Sequence, residues 1–339
     1  MIFQKIMQKK TIYTFSTIVF ILLLAVSFSS TSLAISNKIF LNVGTTNQTS
    51  SAYGYYVQTL KVFDKYAPDL KPTIIETGAA VDNTNRLARK EIDIGLAPDE
   101  IKYQAFHGMG KWEGNPLPNL RNMLSWTKNL QPYVVFADSD IETVYDLDGR
   151  TFCCGARGSA CEATCEMIFD FLDIHPKYFR GSLADATNAM KDRSLEGVLK
   201  TSSGNKPDAS FIELQTYLKL RPINWPVELL EKVKEKYPFL PTGVIPAGTF
   251  NGQTEEVNSW SVVMGDFCTT DLSEDVVYQW VKACFAGQDM LAQVYAAAGE
   301  TDWVEATLGS LIPLHAGTIK YFREIGVEVP EELIPPEAK

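Results

Sequence analysis

Histidine is nearly missing from this chain: His107, His175 and His315 are all that 339 residues contain. His175 precedes a proline and His315 precedes Ala316-Gly317, so both read as turn residues. No serine nucleophile elbow, His-Glu-x-x-His pair or Gly-Lys-Ser/Thr phosphate loop occurs. With these gaps no catalytic grouping can be assembled, and no enzyme is expected. Cys-x-x-Cys spacing is also absent, which removes the usual redox pair and the usual zinc knuckle. There is no internal repeat and no low-complexity tract. Beyond the N-terminus, no apolar run is long enough to span a membrane, so the remainder is expected to be soluble.

The N-terminus is rich in what the rest lacks. Lys5, Lys9 and Lys10 make a positive start, residues 15–26 are apolar, and Ser32-Leu33-Ala34 is a small-residue end. This is the pattern of a cleaved secretory signal peptide over residues 1–34. The rival reading, a membrane anchor, needs roughly 20 apolar residues and does not find them. No cysteine adjoins Ala34 to carry a lipid, and no arginine pair precedes the apolar run. A periplasmic protein is therefore expected. Removing the three leader lysines from the 31 basic residues leaves 28 against 41 acidic ones, a net charge of −13. So acidic a surface argues against nucleic acid and anionic lipid as partners. It does not bar an anionic ligand, because backbone dipoles decide that at short range.

All six cysteines lie after residue 34, and Cys153, Cys154, Cys161 and Cys165 fall within thirteen residues. Outside the cytoplasm such clusters pair as disulfides. Buried thiols, a metal site and redox chemistry are the alternatives, and adjacent Cys153-Cys154 suits a tetrahedral metal poorly. Side chains alternate along a strand, so one of Cys153 and Cys154 faces Cys161 or Cys165. No metal ligands are assigned and no cofactor is expected.

Short strand-like runs at 38–43, 73–76, 92–96, 133–137, 151–154, 209–212 and 259–264 alternate with amphipathic stretches. In the first stretch Tyr53, Tyr56, Val57, Leu60 and Phe63 recur at helical steps. The alternation predicts an α/β fold with mostly parallel sheet. Polar crossings near 130–138 and 249–261 divide the mature chain into lobe 1 (35–134), lobe 2 (135–257) and a return to lobe 1 with C-terminal helices (258–339). Two hinge crossovers leave a ligand cleft between the lobes. The proline-rich end at 330–336 reads as a loosely held tail.

Three strand-to-helix turns stand out. The first is Gly44-Thr45-Thr46-Asn47-Gln48-Thr49-Ser50-Ser51 before Tyr53. A helix N-terminus offers free amides and partial positive charge, and hydroxyls add donors without bulk; a plain N-cap is the bland alternative. The second is Glu76-Thr77-Gly78-Ala79-Ala80-Val81-Asp82-Asn83, and the third is Gly155-Ala156-Arg157-Gly158-Ser159-Ala160-Cys161-Glu162. In the third, Ser159 and Glu162 have capping-box spacing. Cys161, Cys165, Ile168 and Leu172 then share a helix face. Arg157 adds either a bidentate grip on a carboxylate or a solvated surface charge. In open α/β sheets ligands sit beyond the carboxyl ends of strands, where such turns converge. The candidate ligand residues are Thr45, Thr46, Ser50, Ser51, Tyr53, Thr77, Gly78, Asn83, Arg157, Gly158, Ser159 and Ala160.

These motifs, in this order, resemble the TAXI family of solute receptors for tripartite ATP-independent periplasmic (TRAP) transporters. Glu91-Ile92-Asp93-Ile94-Gly95, Tyr145-Asp146-Leu147-Asp148-Gly149-Arg150, Asp208-Ala209, Ile245-Pro246-Ala247-Gly248-Thr249-Phe250, Leu314-His315-Ala316-Gly317 and Tyr321-Phe322-Arg323-Glu324-Ile325-Gly326-Val327 extend the resemblance nearly end to end. It implies a two-lobed, type II periplasmic-binding-protein fold that closes around a small organic anion: a glutamate-like solute, a 2-oxo acid or a dicarboxylate. It further implies delivery to TRAP membrane subunits driven by an ion gradient, with ligand contacts around Thr45, Thr77 and Ser159. A monomer is expected. The hydroxyl-rich first loop is longer than the Gly-rich loop of many members, Ala316 stands where proline is frequent, and the cysteine cluster is foreign to the family. Two other readings are a ligand-sensing module for a signalling partner and a metal or redox protein built on the cysteines.

Overall fold

The computed structural model describes residues 38–339, so the signal peptide expected at 1–34 lies outside the described residues. Three strand–turn–helix units come first: β1 (Ile39–Gly44) and α1 (Ser51–Tyr66), β2 (Leu70–Ile75) and α2 (Ala80–Ala88), β3 (Ile94–Pro98) and α3 (Asp99–His107). β1 lies between β2 and β3 and runs parallel to both. Parallel neighbours need a crossover, which each helix supplies. Gly44 pairs with Ile75 on one side and Gly95 on the other, so the turns that follow the strands emerge at one sheet edge.

A long strand, β4 (Leu120–Gln131), ends at Pro132, and β5 (Tyr133–Phe136) begins a second sheet. β6 (Thr151–Cys153), α4 (Ala160–Leu172), β7 (Lys177–Tyr178), α5 (Leu183–Lys191), β8 (Gly197–Leu199), α6 (Ala209–Gln215), β9 (Leu220–Pro222) and α7 (Val227–Lys236) complete that lobe. Its strand order is β7-β6-β8-β5-β9. β10 (Thr242–Ile245) and β11 (Val257–Thr269) return to the first sheet, followed by α8 (Glu274–Ala286), α9 (Gln288–Ala292), α10 (Ala297–Glu300), α11 (Trp303–Leu308) and α12 (Ala316–Glu324). β11 pairs antiparallel with β10, β3 and β4. Each lobe has its own apolar core. Tyr55, Phe63, Trp126, Trp280 and Trp303 fill the first, and Tyr133, Phe152, Phe169 and Trp225 the second. Trp260 of β11 packs in the second core while Met264 packs in the first, so one strand is rooted in both. Among the described residues no helix is long and apolar enough to cross a membrane. This is the two-lobed α/β, periplasmic-binding-protein-like fold expected from the sequence, but both sheets are mixed rather than mostly parallel, because β11 and β5 each run antiparallel to all their neighbours.

Several local expectations change. The run 209–212 is not a strand but the start of α6, because Asp208 accepts a hydrogen bond from the Ser210 amide and starts a helix there. The polar crossing at 249–261 is the loop of the β10–β11 hairpin, and the first sheet resumes at Thr242 rather than 258. α1 buries Ala52, Tyr55, Tyr56, Thr59, Val62 and Phe63, a face one step round from the expected one, with Val57 exposed. The C-terminal tail is pinned. Leu314 donates to the Leu333 carbonyl and Arg121 pairs with Glu337 at 2.6 Å. His315 is an N-cap: its Nδ1 accepts from Gly317 N at 3.1 Å, and its Nε2 lies 2.9 Å from the Leu272 carbonyl oxygen.

The disulfides expected among Cys153, Cys154, Cys161 and Cys165 are absent: all six cysteines are free and buried. Cys154 faces Cys165, as alternation along the strand requires of one of the two adjacent cysteines. Their sulfurs lie 2.8 Å apart as a thiol contact, short of a bond. Cys153 turns the other way and contacts the Gly155 carbonyl, and Cys161 meets Thr201 Oγ1 at 3.1 Å. Each thiol therefore has a different neighbourhood. Burial pushes the Cys153 thiol up to about 12, which makes it inert. Among the described residues no group of His, Cys, Asp and Glu could hold a metal ion.

Candidate functional site

The carboxyl ends of β1, β2, β3, β6 and β8 point into one space between the lobes. A cavity of about 370 Å³ fills it, lined by the residues that follow those strands: Thr46, Thr77, Pro98, Gly155 and Lys200 among them. From the first lobe come Thr46, Asn47, Ser50, Ala52, Thr77, Gly78, Leu96 and Pro98; from the second come Arg157, Ser159, Ala160, Cys161, Arg180, Ser182, Lys200, Thr201 and Asp208. Met264 and Tyr295 complete the wall.

Two contacts clasp the lobes across this space. At one, the Gly158 carbonyl of the second lobe accepts from Val81 N (3.0 Å) and Asp82 N (3.2 Å), the first-turn amides of α2. Gly78 lies so close to the facing loop that a Cβ there would sit 2.7 Å from the Arg157 carbonyl oxygen. At the other, the Asp208 carboxylate accepts from Ser51 N at 3.1 Å and approaches Ser50 Oγ at 3.5 Å, at the start of α1. Lys200 Nζ stands 3.8 Å from Asp208 and donates to Ser50 Oγ at 3.3 Å, while Ala209 N donates to Ser51 Oγ at 3.1 Å. Further along the interface Tyr103 stacks on Phe239, with ring centroids 5.1 Å apart.

Of the three turns singled out from sequence, two thus have their helix amides engaged by groups of the opposite lobe. The third, at α4, differs. Ser159 accepts from Glu162 N at 3.2 Å, but Glu162 reaches Gly158 N (2.8 Å) rather than closing the capping box. The first amides of α4 have no intrahelical acceptor. Gly158 adopts a φ of +80°, which a side chain resists.

The predicted residues separate into groups. Thr46, Ser50, Thr77, Gly78, Arg157, Ser159 and Ala160 line the cavity. Thr45 and Asn83 do not. Thr45 Oγ1 donates to the Ile75 carbonyl, and the Asn83 amide donates to the carbonyls of Thr45 and Leu96 at 2.9 Å each. Thr77 Oγ1 contacts Asn83 Oδ1 at 2.7 Å. These side chains tie the ends of β1, β2 and β3 together beneath the cavity. Ser51 and Gly158 serve the clasps, and Tyr53 is half-buried outside the lining. Sequence reasoning missed Lys200, Arg180 and Asp208. Asp208 has a visible signal, a capping residue before a short apolar run, but a run as short as 209–212 fits a strand equally well.

Charge in the cleft is mostly matched. Arg180 pairs with Glu162 at 3.0 Å and with Glu166, which raises its guanidinium further. Lys200 faces Asp208, while Arg157 has a backbone bond from its amide to Gly181 and an exposed side chain. Behind the cleft, at the start of α3, Lys102 pairs with Asp99 at 2.6 Å and donates to Asn122 at 2.7 Å. Neighbouring Glu100 is buried with Oε1 unpartnered, and burial pushes its carboxyl up to about 8. Burial likewise raises the Cys161 thiol, with Lys200 opposing and Glu100 adding to the rise.

A model of the NMT1-like family matches residues 43–326. Among solved structures the chain is similar to a putative L-cystine ABC transporter from Listeria monocytogenes, at 13% identity, covering 75% of this chain and 93% of that one with a TM-score of 0.48. It is also similar to the periplasmic aliphatic sulphonate binding protein SsuA from Escherichia coli, at 15% identity over 86% and 80% of the two chains with a TM-score of 0.40. A third is the ligand-binding component of an ABC-type import system from Staphylococcus aureus, at 12% identity over 88% and 97% with a TM-score of 0.47.

Proposed function

The chain belongs to the NMT1-like family, and on that footing we propose that it is a periplasmic solute-binding protein. It captures a small carboxylate-bearing solute by lobe closure and passes it to a membrane transporter. The observation that carries this reading is the cavity of about 370 Å³ between two lobes clasped at both sides. Its size suits a small organic molecule. Arg157, Lys200 and the opening amides of α4 supply donors for an anion at the second lobe, while Leu96, Pro98 and Met264 offer an apolar wall. Closing would bury the solute and change the surface shown to the membrane partner. Binding rather than catalysis fits the cleft's chemistry: Arg180, Lys200 and Asp208 each have a charged partner, Arg157 has only a solute to meet, and burial raises the thiol that lines it.

The resemblance to TAXI receptors supports TRAP membrane subunits as the partner, and the leader-like N-terminus supports export. The test has two stages. Mass spectrometry of the solute that co-purifies with the exported protein is followed by calorimetry on refolded, ligand-free protein with a panel of carboxylic and amino acids. Failure of every small carboxylate to bind removes the reading. Uptake into vesicles carrying its membrane partner should need an ion gradient and no ATP; a requirement for ATP would replace the TRAP assignment.

A further inference from the structure

One carboxylate in the cleft belongs to the protein itself. Asp208 is buried, yet it lines the cavity. Its Oδ1 accepts from Ser210 N at 3.1 Å and Ser210 Oγ at 2.9 Å, at the start of α6. Its Oδ2 accepts from Ser51 N at 3.1 Å, at the start of α1 in the other lobe, with Lys200 Nζ 3.8 Å away. Two helix N-termini and a lysine thus converge on one anion. This is the position that the hydroxyl-rich first turn offers to a ligand, and it is taken. A second carboxylate set beside Asp208 would face a like charge at short range. Lys200 is engaged by Asp208, and the remaining anion donors, Arg157, Arg180 and the first amides of α4, all come from the second lobe. Opposite them the first lobe presents no charged side chain: Ala52, Leu96 and Pro98 stand among the neutral polar side chains of Thr46, Asn47, Ser50 and Thr77, with Met264 alongside.

We propose that Asp208 determines specificity: it supplies the anion at the first lobe from within the chain, so that the solute carries a single carboxylate, held by the second lobe, and an uncharged body. The proposal rests on the reading of the cleft as an organic-anion site and narrows it. Dicarboxylates are rejected because their second charge meets Asp208 or a wall without a cationic side chain.

The experiment is calorimetry with matched pairs of straight-chain acids, butyrate against succinate and hexanoate against adipate, on the wild type and on Asp208→Asn. Asparagine caps helices nearly as well as aspartate, so α6 keeps its start. In the wild type the monocarboxylate of each pair should bind at least tenfold more tightly. In Asp208→Asn the ratio should shift at least tenfold toward the dicarboxylate, whatever the absolute affinities become. A wild-type preference for dicarboxylates, or an unchanged ratio in a folded variant, overturns this proposal and leaves the anion receptor standing. If the variant does not fold, the wild-type ratio alone decides. If neither member of any pair binds the wild type, the receptor reading falls and this proposal with it.

Discussion

Glu100 is a carboxyl whose surroundings oppose its charge. It is buried, its Oε1 finds no partner, and neighbouring Asp99 adds a like charge against the help of Lys102. Its folded value of about 8 lies above the ordinary 4.5, so the folded chain keeps a proton that the unfolded chain gives up. Stability from this group is therefore complete below about 4.5 and is lost as pH rises toward 8. Glu100→Gln should flatten that slope, melting higher than the wild type at pH 8 and nearly level with it at pH 4.5. Thermal melts across this range check the direction, and an unchanged slope would sink it. The cysteines give a second expectation at this scale. All six are free and buried. A thiol reagent should find none in the native protein and six per chain in denaturant without reductant; four or fewer would restore a disulfide. The sequence could not decide this, because alternation puts one of Cys153 and Cys154 near Cys161 or Cys165 but does not say which, or whether the sulfurs are bonded.

Among the elements, the strand–turn–helix units were the most legible part of the chain. Apolar runs ending in glycine, then small polar residues, then a helical stripe mark β1–α1 and β2–α2 plainly. β4 was not legible. Its sequence mixes Arg121, Asn122, Ser125, Thr127 and Asn129 with apolar residues, yet nearly all of it is buried. Tertiary partners explain this: Lys102 bonds Asn122, Thr307 bonds Ser125, and Tyr295 bonds Asn129. Alternation vanishes when both faces of a strand are covered. α6 failed for a different reason, since four apolar-leaning residues are too few to separate helix from strand. The same turns also bear on closure. Gly78 has no positive φ, so alanine fits its backbone, but the added Cβ would meet the Arg157 carbonyl across the cleft. Gly78→Ala should weaken solute affinity tenfold or more while the ligand-free melting temperature moves by only a degree or two, because the clash exists only when the lobes meet. Equal affinity in the variant would show that the lobes need not approach so closely.

For the whole molecule, the long β4–β11 pair is the spine. It spans ten registered positions, Trp260 to Thr269, and β11 is rooted in both cores. Opening must therefore bend the connections at Pro132 and near Pro241 rather than shear the strands. Hydrogen exchange should find the slowest amides in 120–131 and 257–269 with or without solute. The amides of Val81 and Asp82, bonded only across the cleft, should slow when solute is added. Fast exchange in β4 would contradict the rigid spine. The lobed plan itself was readable from the alternation of elements. The clasps were not, because they join residues about eighty and one hundred and fifty positions apart, the first through backbone atoms that no side chain announces and the second through an aspartate that also reads as a plain helix cap.

The Gly158 clasp has a genetic consequence. Its donors are the amides of residues 81 and 82, which every amino acid but proline possesses. The grip itself therefore asks for no particular side chain at those positions. Val81 is kept by its place in the apolar core and Asp82 by its bonds to Gly78 N and Arg86, while Gly78 and Gly158 serve the clasp with no side chain at all. A mutational scan should record both glycines as intolerant, and proline as the substitution at 81 or 82 that removes a clasp bond directly.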